Sequence, residues 1–371
     1  MAQIVIAEEE FWQPGVDFAA AMRLRGHETL RLVADPRKDP LQRRWWRCAT
    51  RTVPQATTPG GALTASGQAV LRHDTASDIQ ATEAVARWLD ASGHEQRLGY
   101  VRSHPLAPSQ VIDKLEMTRH LAAAGIPVPS TWTNASDIPP ASPGPFMIKA
   151  RTLGGGAGIH LLPDLRSVLE YKEHHQAEAH IIQQFVSGTP LDSAGVARAG
   201  RLVQVITYTN RVNPNRPFAA AYGITTTDDP VLRDYTALVV DALGITGPFA
   251  LDAVPGPGGQ PLIVDLNLRM WGCWTACQDL GMQVTASYEF ALGLGEDPGS
   301  FRTPAGRYAP ILRRPPLDVS TPSQRSLWVR RELAHIWRRR RWLGAHWARA
   351  ASYETLAWAA RGVPVLSSAS G

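Results

Sequence analysis

The run PLIVDLNLR at 261–269 sets Asp265, Asn267 and Arg269 at two-residue steps. Side chains alternate across a strand, so the three share one face, with Leu266 and Leu268 on the other as core. A second run, FALDAV at 249–254, carries Asp252 and is separated from the first by PGPGGQ, a turn signal. Neighbouring hairpin strands would gather two carboxylates, an amide oxygen and a guanidinium. Oxygen donors of this kind suit magnesium, which uses one or two carboxylates and completes its shell with water and phosphate oxygens. A solvated strand face has the same alternation, and these residues alone leave both readings open.

The stretch FMIKARTLGGGAGIHLL at 146–162 puts Lys149 on a strand and then supplies Gly154, Gly155, Gly156 and Gly158. Glycines reach backbone conformations closed to other residues and let N–H groups approach a ligand, so a glycine loop beside a lysine can cover phosphates. A hairpin tip next to an exposed sheet lysine would read the same way.

These residues need strands and helices to hold them. AQIVIA reads as a buried strand, VDFAAAMRLRGHETL as a helix and LRLVA as a second strand, with no G-x-G-x-x-G between the first two elements. Residues 50–75 read as an irregular connection, and AVARWLD resumes a helix. From SQVIDKLEMTRHLAAAGIPVPSTW the pattern predicts a helix capped by Ser109 and ended by Gly125, with Pro127 and Pro129 forcing extended chain. PFMIKA and IHLLP are strands flanking the glycine loop, LRSVLEYKEHHQAEA is a helix, and HIIQQFV and RLVQVITYT are strands. VLRDYTALVVDALG is helical.

The 371 residues are 44% hydrophobic, enough for two or three domains with sizeable cores. No apolar run approaches the roughly 18 to 20 residues that span a bilayer. The opening MAQIVIAEEE lacks the order of a secretory signal, so a cytoplasmic location is expected. Cys48, Cys273 and Cys277 cannot all pair with one another and are expected as buried thiols. The net charge of +5 is modest and does not by itself argue for nucleic acid. After about residue 300 comes a tail with five of the twelve tryptophans, including IWRRRRWLGAHW. Arg338–Arg341 with Trp337, Trp342 and Trp347 could meet RNA or an anionic membrane, but the favoured reading is a helix docked by its tryptophans. Trp271 and Trp274 suit either an acceptor pocket or core, and His174 and His175 sit on a surface helix without a third metal ligand in view.

Over roughly residues 109–295 the chain resembles the ATP-grasp family of carboxylate-amine and related ligases. The resemblance is carried, in order, by DKLEMTRHLAAAGIPVPST, MIKARTLGGGAGIHLL, IIQQFVSG, and FALDAV followed by IVDLNLR. It implies an α/β fold of the α+β ATP-grasp kind: an N-terminal α/β domain (1–107), an ATP-grasp N-subdomain with the glycine loop (108–182), a C-subdomain with the metal site (183–298) and a basic helical extension (299–371). It also implies that Lys114 and Lys149 contact nucleotide phosphates beneath a lid at Gly154–Gly158. By the same resemblance Gln183, Gln184, Phe185 and Val186 form the adenine hinge, and Asp252, Asp265 and Asn267 hold one or two Mg²⁺ ions, for which Mn²⁺ could substitute. Arg269 would steady the transferred phosphoryl group.

The departures from the pattern are specific. Asp265 stands where many relatives have glutamate, Gln183 replaces an acidic hinge residue, and Pro190 falls where many place the ribose carboxylate, so that either Asp192 substitutes or that contact is missing. The implied activity is ATP-dependent joining of a small carboxylate to an amine through an acyl phosphate, with an amino acid on at least one side. The alternatives are a ligase for a carrier-bound acid or peptide, and a nucleotide-binding regulator with lapsed catalysis. Small carboxylate and amine substrates are the expected partners, with a homodimer in keeping with the family and without nucleic acid or a membrane span.

Overall fold

The computed structural model describes residues 3–8, 13–33, 48–49, 51–54, 67–71, 113–151, 158–175, 179–212, 221–311 and 322–361. The first sheet is parallel, in the order β3-β2-β1-β4, from β1 (Gln3–Glu8), β2 (Glu28–Val33), β3 (Arg51–Pro54) and β4 (Gly67–Leu71). Helix α1 (Gln13–Leu24) joins β1 to β2, as the strand-helix-strand opening predicts. The expectation of irregular chain over 50–75 is corrected here, because β3 and β4 both fall within it. An edge strand pairs on one side only, so four or five residues suffice, too few for alternation to stand out among Thr, Pro and Gly. The predicted helix at AVARWLD lies outside the described residues.

Helix α2 (Lys114–Ala123) starts at Asp113, whose carboxylate accepts from the N–H groups of Leu115 (2.9 Å) and Glu116 (3.3 Å). Asp113, rather than Ser109, is therefore its cap. The helix stops just before Gly125, where φ is 74° and a side chain would be strained. Four antiparallel strands follow in the order β5-β8-β6-β7: β5 (Thr131–Trp132), β6 (Phe146–Ala150), β7 (Ile159–Leu162) and β8 (His180–Gln184). Phe146, Ile148 and Ile182 pack with Val168 of α3 (Leu165–His174) on one face of this sheet. Strand alternation puts Met147, Lys149, Ile181 and Gln183 on the other.

The third sheet is antiparallel, in the order β13-β12-β9-β10-β11-β14. Its strands are β9 (Leu191–Arg198), β10 (Arg201–Arg211), β11 (Gly223–Thr226), β12 (Gly247–Pro255), β13 (Pro261–Asn267) and β14 (Tyr308–Pro310). Helix α4 (Pro230–Ala242) covers one face, where Leu232, Val239 and Val240 meet Phe249, Leu251, Leu266 and Leu268. The opposite face, with Ala194, Ile206, Tyr208 and Ala250, packs toward α1, Trp271 and Trp274. Strand β9 escapes the sequence pattern because LDSAGVAR is rich in small residues, which weakens a strand signal. Its central place demands them: a Cβ on Gly195 would lie 2.4 Å from the Gln204 carbonyl oxygen and 3.0 Å from the Phe249 ring.

Helices α5 (Trp274–Asp279) and α6 (Val284–Ala291) lead toward the long helical run α7 (Pro322–Arg361), interrupted at Gly344 with φ 88° and ψ 166°. The tail docks on the body, as its tryptophans suggest. Trp347 is 1% exposed and its Nε1 donates to Asp17 Oδ1 at 2.6 Å, while Trp342 lies 5.6 Å from the Trp274 ring. Arg339, from the middle of the Arg run, points inward and donates to Asp279 Oδ2 (2.8 Å), Thr275 Oγ1 (3.0 Å) and the Pro310 carbonyl (3.0 Å). Trp337 remains exposed under the Arg340 guanidinium, 5.0 Å from its ring centre. Among the described residues no helix is long and apolar enough to cross a membrane.

Candidate active site

The β12-β13 hairpin forms as predicted, with Asp252 directly opposite Asp265 and Ala250 opposite Asn267. On its other side β12 pairs with β9, and Asp252 also faces Asp192. Asp192 in turn faces Tyr208 of β10. One row across three strands therefore reads Asp265, Asp252, Asp192. Directly opposed antiparallel residues share a face and stand roughly 5 Å apart at Cβ, so the like charges are neighbours. Asp192 is buried and accepts a hydrogen bond from Asn210 Nδ2. The register sets Asp192, which the resemblance offers for the ribose, beside the Asp252–Asp265 pair. Arg269 follows two residues after the end of β13 and donates to the Met270 carbonyl at 3.3 Å.

A β-bulge sharpens this geometry. Asp252 opposes Asp265 but Ala253 opposes Ile263, leaving Val264 as the extra residue of β13. The carbonyl of Val264 accepts from Lys149 Nζ at 3.1 Å. The lysine thus reaches from β6 of the small sheet to the acidic hairpin of the large one. It is only 5% exposed, so it is not the surface lysine that the bland reading allowed.

The electrostatics follow from this placement. Burial holds the Lys149 ammonium below its ordinary pKa; Asp265 and Asp252 counter that, while Lys114 adds to it. Burial and the adjacent Asp265 charge push Asp252 up to about 7, against the pull of Lys149, Arg269 and Lys114. Asp192 is raised too, by burial and then by Asp252. Carboxylates crowded in a poorly solvated place favour a proton or a cation. Among the described residues no three or more His, Cys, Asp or Glu side chains are disposed to hold a metal ion together. Two carboxylates and the Asn267 amide remain, and that oxygen donor set fits a hard cation that keeps water and phosphate oxygens in its shell.

Gly154, Gly155 and Gly156 lie outside the described residues. The ends of their loop are described: the Ala150 N–H donates to the Gly158 carbonyl at 3.0 Å, and Gly158 has φ 66°, a conformation that favours glycine. Lys114 opens α2, and its N–H donates to the Arg151 carbonyl at 2.9 Å, so this helix start meets the strand just where the loop begins. At the other sheet edge the side chain of Gln183 donates to Thr131 Oγ1 (3.1 Å), and the Phe185 N–H donates to the Pro145 carbonyl (3.1 Å). Gln184 donates from Nε2 to the Pro143 carbonyl at 2.6 Å, and Phe185 and Val186 are half-buried in the connection from β8 toward β9.

Residues 111–273 match the family model of the ATP-grasp domain. Over this stretch the chain is similar to ATP-grasp domains. The four ordered motifs that carried the sequence resemblance all lie inside this match.

Solved structures share the fold. The Staphylococcus aureus N5-carboxyaminoimidazole synthetase complexed with ADP is 15% identical, with 81% of this chain and 80% of that one covered and a TM-score of 0.62. The N5-carboxyaminoimidazole ribonucleotide synthetase of Thermotoga maritima is 17% identical over 82% and 78% of the two chains, with a TM-score of 0.58. The biotin carboxylase domain of Hydrogenobacter thermophilus 2-oxoglutarate carboxylase, solved with MgADP, ADP and bicarbonate, is 14% identical over 82% and 73%, with a TM-score of 0.59. No curated protein matches the chain.

Several structural partners were missed by reading along the chain. Arg151 forms a two-pronged pair with Asp113: its Nε donates to Oδ1 at 3.0 Å, and Nη2 donates to Oδ2. Asn210 on Asp192 was likewise missed, as were Arg25 and His27 on the buried Glu289, at 2.6 and 2.8 Å to its Oε1. These pairs join segments far apart in sequence and leave no local pattern. Cys273 and Cys277 are buried thiols outside any disulfide, and Trp271 Nε1 approaches Cys277 Sγ at 3.3 Å. Trp271 and Trp274 are almost fully buried within the cluster that joins α1 to the large sheet.

Proposed function

We propose that this chain is an ATP-grasp ligase that activates a small carboxylate with ATP and joins it to an amine, with an amino acid on at least one side. The observation that carries this reading is Lys149 reaching Val264 beside the opposed Asp252 and Asp265. This is a buried cation and two carboxylates converging from two sheets. In the proposal Lys114 and Lys149 bind phosphate oxygens, Gly154–Gly158 covers them, and Gln183–Val186 line the adenine. Asp252, Asp265 and Asn267 would hold magnesium, which when bound neutralises phosphate charge. Asp192 would meet the ribose from its place in that acidic row, and Arg269 steadies the transferred group.

A carboxylate lacks a leaving group. Attack of its oxygen on the γ-phosphorus, with cleavage of the bond to the β-bridging oxygen, releases ADP and forms an acyl phosphate. The amine nitrogen then attacks the acyl carbon, the carbon–oxygen bond to phosphate breaks, and the nitrogen sheds a proton to give an amide. The protein's part is positioning and charge neutralisation, with water kept from the mixed anhydride. Small acids and amines, a cytoplasmic location, a homodimer and the division at 107/108, 182/183 and 298/299 belong to the same proposal.

A hydroxylamine trap tests it. The protein with ATP, Mg²⁺, hydroxylamine and a panel of amino acids, other small carboxylates and bicarbonate is read for ADP and hydroxamate together. The panel includes bicarbonate because one structural neighbour was solved with that anion. Hydroxamate and ADP that depend on one acid and vanish in Asp265→Ala support the reading. ADP without hydroxamate for every acid, or nucleotide binding without turnover, overturns it in favour of a carrier-linked or regulatory role.

A further inference from the structure

We propose that the Asp113–Arg151 pair is a positioning device that sets the spacing of Lys114 and Lys149 at the mouth of the glycine loop. The inference rests on the reading above, in which those lysines meet phosphate. Asp113 does two things at once. Its Oδ1 caps α2 through Leu115 N–H and Glu116 N–H, and the same carboxylate takes the Arg151 guanidinium side-on at both oxygens. A third tie runs backbone to backbone, from the Lys114 N–H to the Arg151 carbonyl at 2.9 Å. The cap and first residue of α2, Asp113 and Lys114, are therefore joined at three points to the residue two beyond Lys149.

The location gives the ties their consequence. Arg151 is the first residue past β6, its N–H donates to the Ala179 carbonyl at 3.0 Å, and the Ala150 N–H closes on Gly158. The loop springs from a stem held on both sides, and its first residue is locked to the helix that carries Lys114. Phosphate binding beside such a loop gains affinity when the loop's anchors and the adjacent cations do not drift, because ordering costs are then met in advance. A two-pronged arginine–carboxylate pair fixes distance and angle together, which a lysine or a single contact does not.

The test is a double-mutant cycle on full-length protein, titrated with Mg²⁺ and a non-hydrolysable ATP analogue, alongside adenosine as a ligand without phosphates. Arg151→Ala and Asp113→Asn are each expected to weaken the analogue by about tenfold, and the double variant by no more than either alone, because coupled partners are non-additive. Adenosine affinity should stay within about twofold, and Arg151→Lys should recover only part of the loss. Asp113→Asn keeps a cap acceptor and guards against Arg151→Ala failing to fold. If Arg151→Ala weakens the analogue while Asp113→Asn does not, Arg151 touches phosphate itself and the positioning role is wrong. If both variants bind like wild type, the device is idle. If wild type binds no analogue, the nucleotide reading fails first and the inference falls with it.

Discussion

Two buried cations show how this molecule spends charge differently in two places. Arg339 of α7 is 1% exposed and surrounded by an ionic partner, a hydroxyl and a carbonyl. Lys149 of β6 is 5% exposed, yet among the described residues its ammonium donates at hydrogen-bond distance to one neutral acceptor, the Val264 carbonyl, with the Asp252 and Asp265 charges acting through space. A guanidinium that is fully answered holds a helix to a body. An ammonium beside crowded carboxylates is only partly answered, and the proposed phosphate role accounts for the desolvation cost that the fold carries there.

Substitutions can break this contrast, and the largest effect is expected in the acidic row. Asp265→Ala should lower ATP-dependent turnover on the order of a thousandfold while thermal melting stays near wild type, since the change removes a functional charge and relieves its repulsion with Asp252. Melting and ADP release on one preparation check it. Arg339→Met should do the reverse, costing about 3 kcal/mol of stability by leaving Asp279 without its partner, with little change in nucleotide affinity. Denaturant unfolding beside nucleotide titration checks that pair of outcomes.

A third site sharpens the structural side. Burial raises the Glu289 pKa, but hydrogen bonds from His27 and Arg25 outweigh it and hold the carboxyl below its ordinary 4.5. A depressed folded pKa contributes stability that is present above 4.5 and is lost as pH falls through the folded value. Glu289→Gln should therefore cost roughly 2 kcal/mol at pH 7, and the gap from wild type should close below 4.5. Melting curves across that window test the sign. The smallest effect belongs to the outer side of α7, where Arg341 is exposed. Arg341→Ala should move stability by no more than about 0.5 kcal/mol. A larger shift would mean that this side also serves docking.

Chain order revealed the site where chemistry follows local periodicity. Asp265, Asn267 and the buried Leu266 and Leu268 follow two-residue alternation, and PGPGGQ marks the turn that brings Asp252 opposite. What stayed hidden depends on pairing between distant segments. The small residues of β9 conceal the strand that carries Asp192 into the acidic row, and Val264 becomes a bulge only when two strands meet. Asp113 and Arg151 lie 38 positions apart, and Arg25 and Glu289 lie 264 apart. The tryptophans of the tail suggested docking, but nothing in RRRR tells that Arg339 is the one turned inward. Helical phase and the position of Asp279 decide that.

The most direct measurement pairs Lys149→Met with wild type, recording the melting temperature and ATP-dependent hydroxamate formation from the same samples. Loss of turnover by about a hundredfold or more, with melting unchanged or raised, is the expected result, because methionine fills the space without the desolvation cost. A variant that melts several degrees lower while keeping its turnover would make Lys149 a structural cation like Arg339, and would contradict the account of this cleft as the place where ATP is used.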